Sequence, residues 1–115
     1  MAHQNLALLL NLNEDDLLIF IGNELFPKEI QSLNLNPKKI REKAQEWLDS
    51  NYTFLKRKLC GNTTLKELIE TETLEKSAVL MHIAELIGDI HDSKITVYAI
   101  AVYFINFGYK TICSE

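Results

Sequence analysis

Apolar residues along this chain recur at intervals of three and four, the spacing of one face of an α-helix, and sustained alternation of the kind that marks strands is hard to find. The clearest pattern opens at Pro37, a residue suited to the first helical position, and runs through Ile40, Ala44, Trp47, Leu48, Tyr52, Leu55 and Leu59. Gly61 is placed as its stop. Upstream, Asn13 followed by Glu14, Asp15 and Asp16 reads as an N-cap with acids against the positive end of a helix dipole. That helix continues through "LLIFIGNELF" until Pro27, after which "KEIQSL" reads as a short helical turn.

Thr64 with Glu67 has the form of a capping box, which predicts a new helix at "TLKELIE". "TETLEKS" bends or restarts it, and a helical pattern then runs from Leu74 to about Ile90. Asp92 and Ser93 mark a break before a last helix reaching about Ile112. Many of its residues are good strand formers, but the uninterrupted apolar run is too long for a typical strand, and a lone strand would have no partner. A helix apolar on nearly every side belongs inside a bundle. Ala101 and Gly108, seven apart, would share a face and let a neighbour approach closely.

The expected fold is therefore all-α: one domain over residues 1–115, a single compact bundle of about five to seven helices, with the apolar C-terminal helix at its centre. At 115 residues, 47% hydrophobic and 24% charged, the chain has ordinary globular composition and length enough for one core.

Charge narrows the partners. A formal net charge of -4 gives no overall field that would draw nucleic acid or an anionic membrane. The basic cluster Lys38, Lys39, Arg41, Lys43 is interleaved with acids and reads as a solvated face; nucleic-acid contact through it is the weakest of three functional readings. The segment Ile95 to Tyr109 is uncharged but shorter than the ~20 apolar residues that span a bilayer, so no membrane partner is expected. Cys60 and Cys113 stand alone without CxxC spacing, which suits separate reduced thiols, although one disulfide between them stays open. With no secretory pattern at the amino terminus, the expected location is cytoplasmic.

The richest chemistry lies in "HIAELIGDIHD", where His82, Glu85, Asp89, His91 and Asp92 fall within eleven residues. On a regular helix, His82, Glu85 and Asp89 share one face, whereas His91 lies about 180° away, so the two imidazoles cannot meet on one ion as they do in HExxH. His91 and Asp92 resemble the His-Asp dipeptide of a class of metal-dependent phosphohydrolases. That class needs further histidines, and only His3 and His82 are available. His91 is better read as a residue of the last helical turn, bonding free carbonyls. No nucleophile elbow, phosphate-binding loop or dinucleotide turn occurs. No metal, cofactor or catalytic set is assigned.

Function is then expected from a surface. Leu17 to Ile21 are apolar in succession and cover more than one helical face, and the last helix carries amphipathic rings. Leu17, Phe20, Tyr98, Tyr103, Phe107 and Tyr109 are the candidate contacts. The leading expectation is a small soluble helical protein-binding module, an adaptor or regulator acting through an apolar surface, with a second copy of itself among the candidate partners. The alternative is a metal-dependent hydrolase using the segment from His82 to Asp92.

Overall fold

In the computed structural model, which describes residues 7–70, 76–108 and 112–113, the chain is all-α, and no strand occurs among the described residues. After a helical turn at residues 7–10, helix α1 spans Glu14–Leu25. Asn13 caps it as expected, its Oδ1 accepting the Asp16 N–H at 2.8 Å. Helix α2 (Pro27–Leu33) begins on its proline and ends where Asn34 turns left-handed (φ 48°), a conformation that a short polar residue tolerates.

The long helix expected from Pro37 to Cys60 is two helices. Helix α3 (Pro37–Ser50) starts at Asn36, whose Oδ1 accepts the Lys39 N–H at 2.9 Å. Asn51 then leaves helical geometry (φ -102°, ψ 12°) while its side-chain amide donates to the Trp47 carbonyl at 2.8 Å. This local bond competes with the helical ladder. Helix α4 (Tyr52–Cys60) resumes beyond it. The apolar spacing carries across the break, which is why periodicity alone did not disclose it. Gly61 is the C-cap of α4, as expected, in right-handed geometry (φ -85°).

Helix α5 (Thr63–Glu70) starts one residue before the expected capping box. Asn62 is the cap, its Oδ1 accepting the Leu65 N–H at 2.8 Å, and Thr64 is exposed. Helix α6 (Lys76–Leu86) ends earlier than the pattern to Ile90 suggests. The chain narrows into a 3₁₀ turn at Gly88–Ile90, and His91 lies in extended backbone (φ -157°, ψ 152°), outside any helical turn. Leu74 and Glu75 lie outside the described residues. Helix α7 (Lys94–Tyr103) gives way to a π-helical turn at Phe104–Gly108. Among the described residues no helix is long and apolar enough to cross a membrane.

The core draws on nearly every element: Leu17 and Ile21 from α1, Leu55 and Leu59 from α4, Leu65 from α5, Leu80 and Ile83 from α6. Each such side chain contributes about 1.5–3 kcal/mol through burial. Helix α7 packs against α1 and α6 and buries Thr96, Val97, Ala99, Ile100, Ala101 and Val102, positions that surround its axis. Thr96 carries a cost: its hydroxyl is buried without a hydrogen-bond partner among the described residues.

The most extensive helix contact is between α1 and α3. A Cβ at Gly22 would lie 2.6 Å from Ile40 Cγ2 and 2.7 Å from the Ile40 carbonyl oxygen. Only glycine lets the backbones approach this closely. Arg41 is paired with Asp15 at 2.9 Å, and Lys43 with Glu29 at 2.7 Å, so much of the basic cluster is compensated by neighbouring helices.

Cys60 and Cys113 are joined in a disulfide. It ties the end of α4 to the C-terminal segment and replaces the separate thiols suggested by their spacing. The pairing could not be read locally, because it joins positions 53 apart.

Candidate functional site

At Tyr103 the α-helical ladder of α7 widens into the π-helical turn, a device that re-aims side chains and recurs at functional sites. Gly108 closes it. A Cβ there would lie 2.9 Å from Phe104 Cδ1 and 3.1 Å from Tyr103 Cε2, so the missing side chain leaves room for those two rings. They meet edge to face at 5.5 Å between centroids, and Phe107 is tilted against Tyr103 at 6.1 Å. Asn106, within the turn, ties it to other parts of the chain. Its amide donates to the Leu10 carbonyl at 3.1 Å, and its oxygen accepts from Lys76 Nζ at 3.0 Å.

The rings line a cavity of about 300 Å³ bounded also by Glu14 of α1, by Gln45, Leu48 and Asp49 of α3, and by Tyr52 and Leu55 of α4. Ile112, beside the disulfide, completes the wall. The polar part of the lining is a chain of hydrogen bonds. Tyr103 donates its hydroxyl proton to Glu14 and accepts from Gln45. Gln45 Nε2 in turn donates to Asp49 at 3.1 Å. Burial raises the Tyr103 pKa above its ordinary value, and the negative fields of Glu14 and Asp49 raise it further. The phenol therefore stays neutral and acts as a donor.

A second cavity, of about 350 Å³, lies between α6, the 3₁₀ turn and α7. Glu85, His91 and Asp92 line it with Met81, Lys94 and Tyr98. His91 Nδ1 accepts the Ser93 N–H at 3.0 Å, a bond that helps start α7 in place of the carbonyl contacts expected of it. His82 has other surroundings, with Nε2 3.5 Å from Asn62 Oδ1. The separation of the imidazoles thus comes from the end of α6 at Leu86 rather than from helical phase carried to residue 91. Among the described residues no three His, Cys, Asp or Glu side chains converge so as to hold a metal ion.

The expected contact residues are divided. Tyr103 and Phe107 share the first cavity, and Tyr98 lines the second. Phe20 is half-buried against the core. Leu17, at 0% exposure, has no surface to offer, because the apolar run Leu17–Ile21 is wedged between α3 and α7. Tyr109 lies outside the described residues. Sequence reasoning missed Glu14, Gln45, Asp49 and Tyr52, which three helices bring together. Glu14 was read as a dipole acid and Tyr52 as core, and no local spacing marks them as neighbours. Among the described residues, Leu8 (68% exposed), Leu33 (64%) and Met81 (40%) are the large apolar residues most open to solvent, and they sit on three different elements. Compared with known proteins, the chain matches no family model, no curated protein and no solved structure.

Proposed function

We propose that this chain is a protein-binding module, an adaptor or regulator, and that its contact is the recess formed by Tyr52, Tyr103 and Phe107. The observation that supports this is an aromatic cavity that the core leaves open although apolar side chains border it. At about 300 Å³ it lies at the lower edge of the range for ligand pockets, suited to one large side chain rather than a whole cofactor. Buried aromatic pockets that receive a single anchoring residue dominate the energetics of many protein interfaces.

A photoreactive residue at Asp49, on the exposed rim, tests the reading in the native cell, with one at Leu33 as the control. A discrete cross-linked species from position 49 and none from position 33 is the expected result. The reverse pattern would remove the recess from consideration. A species of twice the chain's mass would identify a second copy as the partner, and light scattering would then report a dimer.

The cytoplasmic setting belongs to the same proposal and now carries a condition. Disulfides persist mainly in oxidising compartments, so a cytoplasmic module would hold Cys60 and Cys113 reduced for much of its life. Alkylation at harvest followed by thiol counting decides between the two states.

A second reading, a metal-dependent hydrolase, draws support from Glu85, His91 and Asp92 lining one cavity. Lys94 in the same lining opposes a cation there, and His91 Nδ1 is already engaged. A thermal shift with zinc or manganese that Glu85→Gln removes would favour it.

A further inference from the structure

The charge around the recess points to the chemistry of its occupant. Some carboxylates nearby are held in ion pairs: Asp15 with Arg41, Glu29 of α2 with Lys43, and Glu42 with Lys39. Glu14 and Asp49 have no ion pair among the described residues, and they face the neutral donors of Tyr103 and Gln45 instead. Among the described residues that line the recess there is no lysine, arginine or histidine. The second cavity differs, since Lys94 and His91 stand there beside Glu85 and Asp92.

Tyr52, Tyr103 and Phe107 line the same recess as the two carboxylates. Aromatic faces attract cations, and Tyr52 already does so within this chain, with Lys56 Nζ 5.9 Å from its centroid. Two acids and three rings in one lining favour a planar cation over a spherical one. A guanidinium can stack on an aromatic face while its N–H groups fork onto carboxylate oxygens, and an ammonium cannot do both as well. Its aliphatic stem would lie along Leu48, Leu55 and Ile112.

Resting on the docking reading above, we infer that the recess receives an arginine side chain from a partner protein, its guanidinium between Glu14, Asp49 and the rings of Tyr103 and Phe107.

The test is a chemical-shift titration of the isotope-labelled full chain with four short capped peptides, identical except for a central arginine, lysine, citrulline or norleucine. Citrulline keeps the shape of arginine and removes its charge. The arginine peptide is expected to shift the Gly108 amide and the Gln45 side-chain amide saturably, at least about 10-fold more tightly than citrulline, and to weaken with added salt. The Glu14→Gln, Asp49→Asn double variant, altered at exposed positions, should lose about 10-fold for arginine and nothing for norleucine. Norleucine or citrulline binding as tightly as arginine would overturn the inference and leave the docking reading intact. Shifts at the recess from none of the four would overturn both. Because the peptide series needs no mutation, the result does not depend on the variant folding.

Discussion

Helices α1 and α3 meet in two opposite ways. Around Gly22 and Ile40 they touch backbone to side chain, with no space for one methyl group. Around Glu14, Gln45 and Asp49 they border a cavity, with the Tyr103 hydroxyl bridging them. A fold that can close one end of a helix pair to contact distance could have closed the other by a shorter path through the π turn. Dense packing is the norm in protein interiors, so the open end calls for a reason other than stability. On the proposed reading, the closed end serves stability and the open one binding.

The largest expected effect comes from the tether beside the open end. Closing a loop of 53 residues removes unfolded-state entropy worth about 4 kcal/mol, so replacing Cys60 and Cys113 by alanine should lower urea-derived stability by about 2–4 kcal/mol. Amide shifts should gather around Ile112 and the π turn and leave Gly22 and Ile40 where they were. A uniform response across both ends would erase the distinction.

Next is the closed end itself. Gly22→Ala gains up to about 1 kcal/mol of helix propensity but drives a methyl group into a carbonyl oxygen that cannot rotate away. A net loss of about 1–3 kcal/mol in chemical denaturation is expected. No loss would mean that the crossing is looser than its distances imply.

Two smaller changes act in the reverse direction or only at high pH. Thr96→Val removes a buried hydroxyl that has no partner among the described residues and should raise stability by about 1 kcal/mol, measured by the same denaturation. Tyr103 has a raised pKa in the fold, so its neutral form contributes fully below the ordinary tyrosine value of 10.0 and is lost as pH rises beyond it. Tyr103→Phe should therefore flatten the fall in stability above about pH 10, and an unchanged slope would mean that the phenol does not sit between Glu14 and Gln45.

The two ends also differ in how far they could be read in advance. Helical class, the Asn13 cap, Pro37 as the opening of α3, and the burial of Ile100 and its neighbours all follow from spacing of three and four and from local capping chemistry. Such features depend on residues close in sequence. The breaks were harder. Asn51 interrupts α3 and α4 through one side-chain bond that leaves the apolar rhythm intact, and the early end of α6 moved His91 off the helix on which its orientation had been argued. The recess was legible only as Tyr103 and Phe107, the aromatic excess of the last segment. Glu14, Gln45, Asp49 and Tyr52 join it through packing among α1, α3 and α4, and no local pattern announces a contact between residues 14 and 103.

Phe107→Ala tests the division of labour most directly, because the residue borders the cavity and also leans on Tyr103. If the recess serves binding, urea denaturation should show a loss of about 1 kcal/mol or less. A loss of about 3–5 kcal/mol, the cost of truncating a core phenylalanine, would make Phe107 part of the packed interior and contradict the account.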